Sequence, residues 1–209
     1  MEDIVIVGHG GFARETAWII DRINSISPTW NFMGYIENKD RCEDVVGDDS
    51  YIIRYPQKLA VIVAIGETKI RQKIVNSYTN NLNLYYPNII DPSVVISNGV
   101  KMGLGNIICA GTVITVDIKI GDFNIINLNC TVGHDVCIGN YVTINPNVNI
   151  SGACNIGDES NIGTGTQLIQ GRSVGQDTII GAGSVIINDI ESNCVAVGVP
   201  AKPIKMVGK

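Results

Sequence analysis

The chain has 209 residues, with 15 Lys and Arg against 20 Asp and Glu and a formal net charge of −5. That length allows two modest domains with real cores, and the acidic balance argues against a nucleic-acid partner gripped through a basic surface. The apolar run Val61–Ile65 is far short of the roughly 20 residues a membrane span needs, and Met1-Glu2-Asp3 lacks the basic start of a signal peptide. The expectation is a soluble, cytoplasmic protein with no membrane insertion.

Residues 1–86 read as a small α/β domain. Asp3–Val7 is an apolar, β-branched strand, followed by Gly8-His9-Gly10-Gly11 and an amphipathic helix from Phe12 to Ile26. A second strand, Phe32–Ile36, ends in Glu37-Asn38; a third, Leu59–Ile65, ends at Gly66 and leads into a helix from Glu67 to Tyr78. Strand, glycine turn, helix is half of a Rossmann-like dinucleotide fold. A helix N-terminus behind a glycine turn offers free N–H groups and the positive end of a dipole to a phosphate. Gly8-His9-Gly10-Gly11-Phe12-Ala13 also fits the G-x-G-x-x-A fingerprint. Fewer than ninety residues is room for one mononucleotide half, so a nucleotide-sugar diphosphate is favoured over NAD, with a purely structural turn as the third reading. Ligands of parallel sheets sit beyond the carboxyl ends of the strands, where Gly8–Phe12, Glu37-Asn38 and Gly66-Glu67 converge. Glu37 is suited to accept from ribose or base donors; alternatively, Glu37 and Asn38 form a solvated turn.

Residues 87–209 are different. Stepping by six from Ile90 to Ile186 meets seventeen large aliphatic or Met residues without a break. Four residues after each lies a second site, mostly small or β-branched, such as Thr112, Cys130, Val136, Cys154 and Ser160. A period of six marks a repeat architecture: a triangular parallel β-helix with three short strands per coil of about eighteen residues and a rise near 4.8 Å. The residue after each aliphatic is often Gly or Asn, as in Gly103, Gly121, Asn127, Gly133 and Gly139, and these positions are expected to turn the corners in left-handed backbone conformations. Six cysteines contain no C-x-x-C pair. Cys130 and Cys154 fall on small inward sites and read as buried hydrophobes, which argues against a zinc site.

The chain has two histidines, His9 and His134. His134 lies at the third place of its hexad, pointing outward beside a turn and followed by Asp135. An imidazole titrates near working pH and suits a general base for an amine or hydroxyl nucleophile, while the carboxylate can fix its tautomer. The bland reading is a surface histidine. One coil above His134 is Gly152, expected to leave a shallow channel for a long thin chain and to offer a backbone N–H to a developing oxyanion. No metal is expected: hexapeptide-coil carbonic anhydrases hold zinc with three histidines, and this coil has one.

Ile4-Val5-Ile6-Val7-Gly8, Gly34-Tyr35-Ile36-Glu37, Val63-Ala64-Ile65-Gly66 with Ile70-Arg71, Gly133-His134-Asp135-Val136-Cys137-Ile138-Gly139 and Val197-Gly198-Val199-Pro200-Ala201-Lys202 together resemble the hexapeptide-repeat sugar acyltransferases. This family includes sialic acid O-acetyltransferases and UDP-4-amino-sugar N-acetyltransferases of bacillosamine-type pathways, and the resemblance spans essentially the whole chain. It implies a left-handed parallel β-helix, a homotrimer with active sites in grooves between adjacent coils, acetyl-CoA as co-substrate and a role in surface glycan synthesis. It casts His134 as general base, Asp135 as the residue that raises its basicity, and Asn127 as a neighbour of the acceptor. It places Thr143, Gly152, Thr164 and Ala182 along the pantetheine and acetyl end of the cofactor, and Pro200 and Lys202 near its adenine and phosphates. Gly10, Gly11, Phe12, Glu37, Asn38 and Gly66 match nucleotide-sugar contacts. In one departure, relatives often carry a histidine where this chain has Phe12.

The reading is an acetyltransferase acting on the amine of a UDP-, dTDP- or GDP-linked 4-amino-4,6-dideoxy sugar by direct transfer. One rival is O-acetylation of sialic acid or another sugar hydroxyl, which the same base would serve. A rival of another class is a non-catalytic trimer that binds nucleotide sugars; a nicotinamide oxidoreductase is more remote.

Overall fold

A computed structural model describes residues 1–38 and 42–207. The N-terminal domain is a parallel sheet of five strands in the order β3-β2-β1-β4-β5. Its elements are β1 (Glu2–Val7), α1 (Gly11–Ile26), β2 (Trp30–Ile36), β3 (Val45–Gly47), α2 (Asp49–Arg54), β4 (Leu59–Val63), α3 (Thr68–Ser77) and β5 (Leu84–Tyr85). The sequence announces β1, β2 and β4 and the two longer helices; β3, α2 and β5 go unannounced because segments of two to six residues are too short to show a period. Alternation along β1 divides the core. Ile4 and Ile6 pack with α1, while Val5 and Val7 pack with Ile52, Val61, Val63 and Val75. Gly8 sits at φ +103°, where a Cβ would come within 2.8 Å of the Ile65 side chain, so the turn behind β1 needs glycine for both conformation and space.

The second domain is a left-handed parallel β-helix. Seventeen two-residue strands, β6 (Ile89–Ile90) through β22 (Val185–Ile186), follow one another every six residues. Every third strand pairs in parallel with an eighteen-residue register, as in Val113↔Thr131 and Thr131↔Asn149. The first face carries β6, β9, β12, β15, β18 and β21, the second β7 to β22, and the third β8 to β20. A hairpin of β23 (Cys194–Gly198) and β24 (Ala201–Met206) continues the first face. From Ile108 to Ile186 the hexad aliphatics are buried in one core, with Ile90, Ile96 and Met102 packed against its lower end.

The corners correct the sequence reading. The left-handed residues are not those directly after each aliphatic but those three after it: Phe123 and Tyr141 on one edge, Asn129 and Asn147 on the next, Asp117, Asp135 and Ala153 on the third, all with φ between 55 and 60°. The glycines at the first corner position answer a different need. A Cβ on Gly157 would lie 2.4 Å from the Gln176 nitrogen, and one on Gly133 would lie 2.7 Å from the Gly152 nitrogen. Close stacking of the next coil, rather than backbone handedness, excludes a side chain there.

The α/β domain docks on the lower first face. Ile89, Ile107 and Ile125 point outward from the coil, yet they are buried in the core shared with α1. Removing three such side chains from water is worth roughly 1.5–3 kcal/mol each. Two arginines add direction to this contact. Arg22 of α1 donates through Nε and Nη2 to the buried Asp91 at 2.6 and 3.1 Å. Burial pushes the Asp91 carboxyl up, but bonds from Arg22 and Ser93 outweigh it and hold it below its ordinary value. Its stabilising contribution is therefore present above the ordinary carboxylate range and is lost as pH falls through the lowered value.

Arg71 of α3 reaches the edge between the third and first faces and is 1% exposed. Nε donates to the Phe123 carbonyl at 2.9 Å, Nη1 to those of Ile65 and Gly66 at 2.6 and 3.2 Å, and Nη2 to the Tyr141 carbonyl and Thr143 Oγ1 at 2.8 and 3.0 Å. Truncation would strand several buried carbonyls at about 1–3 kcal/mol each. Arg71→Ala is expected to lower unfolding stability by about 3 kcal/mol or more, and Arg71→Lys to recover less than half, because an ammonium lacks the planar fork. Urea denaturation of the three proteins checks both.

Candidate active site

His134 and Asp135 occupy the edge between the second and third faces, after β13 (Thr131–Val132). Main-chain bonds fix the turn from both sides: Asp135 N donates to Val116 O one coil below at 3.2 Å, and Ala153 N donates to His134 O at 2.7 Å. Asp135 adopts φ 60°, a conformation that short polar side chains tolerate. Its Oδ2 lies 2.8 Å from His134 Nδ1. An ionised carboxylate only accepts, so in the neutral ring the proton sits on Nδ1 and Nε2 keeps a lone pair. Both side chains are about half exposed or more, leaving the imidazole open to approach.

The space beside Gly152 is filled rather than left as the expected channel. A Cβ there would fall 2.4 Å from His134 Cε1 and Nε2: the imidazole itself fills the space, so the glycine is a seat for the ring.

The remaining residues fall into three groups. Asn127 lies on the edge between the first and second faces, with Thr164 and Ala182 higher on the same edge. Asn127 and His134 therefore flank opposite sides of the second face. Thr143 lies at the domain seam instead, its hydroxyl donating to Gly66 O at 2.8 Å while accepting from Arg71; Gly66 is thus bound to the coil. Pro200 and Lys202 are exposed on the β23–β24 hairpin.

At the carboxyl end of the α/β sheet, Gly10 is the N-cap of α1, without a side-chain cap bond, and Gly11 and Phe12 form its first turn, with Phe12 partly buried. Arg14 Nη1 donates to the His9 carbonyl at 3.2 Å. His9 Nε2 lies 3.1 Å from Asp44 Oδ1, and the His9 ring meets Tyr35 edge-on at 5.0 Å. Cys42 completes the one trio among the described residues whose metal-capable atoms converge, within 4.8 Å, although Nε2 is already engaged by Asp44. A cleft of about 190 Å³ beyond β2 is lined by Glu37, Asn38, Val45, Val46, Gly47 and Asp48. Asn38 is held there by Asp49, a residue that turn propensity alone does not single out.

The PglD N-terminal domain model matches residues 3–78. PerB from Caulobacter crescentus, solved with CoA and GDP-perosamine, is 32% identical with a TM-score of 0.88, covering 98% of each chain. The acetyltransferase domain of PglB from Neisseria gonorrhoeae, solved with acetyl coenzyme A, is 28% identical with a TM-score of 0.90 over 97% of this chain and 99% of that one. WeeI from Acinetobacter baumannii is 27% identical with a TM-score of 0.85 over 98% and 100%. A search of curated proteins gives no significant match. Fold and site define a hexapeptide-repeat acyltransferase. Within that class, the chain belongs to the sugar N-acetyltransferase family.

The seat under the imidazole gives a specific expectation. Gly152→Ala displaces the ring and lowers the acetyl-transfer rate by about 10²-fold, a general base's typical share, while leaving the unfolding temperature nearly unchanged. A variant with wild-type turnover would show that ring position is immaterial.

Proposed function

We propose that this chain transfers acetyl from acetyl-CoA to the amine of a nucleotide-linked 4-amino-4,6-dideoxy sugar, in the cytoplasm and as a homotrimer, for surface glycan synthesis. The observation that carries the proposal is the His134–Asp135 pair, open at Nε2 and seated on Gly152, in a chain that matches PerB end to end.

The sugar amine attacks the thioester carbonyl and passes its proton to His134 Nε2; Asp135 stabilises the resulting imidazolium. The tetrahedral oxyanion collapses with cleavage of the C–S bond, and the departing thiolate takes the proton back from the imidazolium. Positioning and proton transfer suffice, without a covalent enzyme intermediate. Cys137, a nucleophile near in sequence, lies on the third face between Lys119 and Asn155 rather than on the histidine's edge.

Asn127, Thr164 and Ala182 share one edge of the second face, while His134, Asp135 and Gly152 share the other. Threefold packing about that face sets the first edge of one copy beside the second edge of the next, so each site draws on two chains. The outward residues support this packing, since Val95, Val113 and Val185 at the two ends flank Thr131, Asn149 and Gln167. Thr164, Ala182, Pro200 and Lys202 then line the cofactor's path. Gly10, Gly11, Phe12, Glu37, Asn38 and Gly66 receive the nucleotide sugar, its diphosphate at the α1 terminus.

CoA release measured with UDP-, dTDP- and GDP-linked 4-amino-4,6-dideoxy sugars and free sialic acid is expected to single out one nucleotide amino sugar, with turnover falling by about 10² or more in His134→Ala. Turnover with sialic acid alone would make the protein an O-acetyltransferase, and no acetyl-CoA binding would make it a sugar-binding trimer. Equal mixing of inactive His134→Ala and Asn127→Ala chains is expected to restore about one quarter of the wild-type sites, since a random neighbour pair has that chance of being intact. No recovery after verified exchange would place the whole site in one chain.

A further inference from the structure

The cleft beyond β2 is backed by a chain of hydrogen bonds that begins in the core. Tyr78 caps α3 and is 1% exposed. Its hydroxyl donates to Asp49 Oδ1 across 29 residues of sequence. Burial first, and then the Asp49 carboxylate, push the phenol well above its ordinary value, so it remains a neutral donor at working pH. The other Asp49 oxygen accepts from Asn38 Nδ2 at 2.9 Å, and the Asp49 N–H donates to Asn38 Oδ1 at 3.2 Å.

This pair of hydrogen bonds fixes which end of the Asn38 amide is which. A carboxylate can only accept and a peptide N–H can only donate, so a flipped amide would oppose like with like at both contacts. Asn38 N also donates to Glu37 Oε1 at 2.8 Å, which ties the neighbouring cleft wall to the same residue. An exposed asparagine at a strand end is ordinarily free to rotate; this one is held through Asp49 by a buried tyrosine. Among the described residues nothing accepts from the second Nδ2–H of Asn38, which is a donor of fixed direction.

We propose that Tyr78 and Asp49 are positioning residues for nucleotide recognition: through them the core orients the Asn38 amide so that it donates to an acceptor on the base or ribose of a nucleoside diphosphate. This inference rests on the cleft receiving the nucleotide. Neither Tyr78 nor Asp49 need touch the ligand.

Calorimetric titration of UDP, dTDP and GDP into the full-length protein tests it, beside acetyl-CoA as a control and with the unfolding temperature recorded for each variant. Tyr78→Phe is expected to weaken the best-bound nucleotide about ten-fold, equivalent to about 1.4 kcal/mol, and to leave acetyl-CoA affinity unchanged. Asp49→Asn, which sets an amide against the Asn38 amide, is expected to do the same. In an Asn38→Ala background Tyr78→Phe is expected to add nothing further, because its route to the ligand has been removed. A Tyr78→Phe protein that melts earlier but binds nucleotide as the wild type does would overturn the proposal, as would a full additional loss in the Asn38→Ala background. If the wild type binds acetyl-CoA but none of the three nucleotides, the nucleotide-site reading falls and the positioning role with it.

Discussion

The buried guanidinium of Arg71 is the contact on which the arrangement of the two domains turns. Among the described residues no carboxylate bonds it; its donors go to main-chain oxygens and one threonine hydroxyl, drawn from the loop after β4 and from two successive coils. Burial lowers its pKa to about 10, which still leaves it charged at neutral pH. A charge solvated by carbonyls in this way demands that every carbonyl be in place. The left-handed corners at Phe123 and Tyr141 bring two of those carbonyls together. Corner geometry in one domain and helix placement in the other are thus a single constraint.

The coil is readable because its period is simple and its inward sites accept only a narrow class of residue. Seventeen aliphatics at unbroken six-residue spacing fit neither a helix nor an ordinary alternating strand. The corner conformations are not readable in the same way. The left-handed slots hold Asp, Phe, Asn, Tyr, Ala and Glu as well as Gly, since stacked coils impose the conformation whatever the side chain. The glycines that do stand out mark close approach instead. The docking surface carries a signal that a search for inward positions passes over: Ile89, Ile107 and Ile125 repeat at eighteen residues on the outward side.

At the site, residue type is legible and partnership is not. His134 beside Asp135 suggests a base and its orienting carboxylate, and the fold joins them at 2.8 Å. Sequence spacing cannot show that Thr143 faces the seam, nor that Asn127 stands across a face from the histidine, because both depend on which edge of the triangle a residue reaches. In the sequence Arg71 stands out only as part of a motif of the resemblance, with no contact assigned to it, and Tyr78 only as a helix end. Their importance comes from contacts 29 to 72 residues away in sequence, which no local pattern encodes.

The uniform eighteen-residue register has a consequence for how such a protein can change. The histidine's height above the docked domain is counted in whole coils, so an insertion of one coil between Ile125 and His134 would move the imidazole along the axis by about one strand spacing, 4.8 Å, and leave its edge the same. Any length change that is not a whole number of coils would carry the histidine to another edge or break the aliphatic stack. The distance between the α/β domain and the histidine is therefore quantised, and finer adjustment falls to the loops of the α/β domain, which can change shape without disturbing the coil.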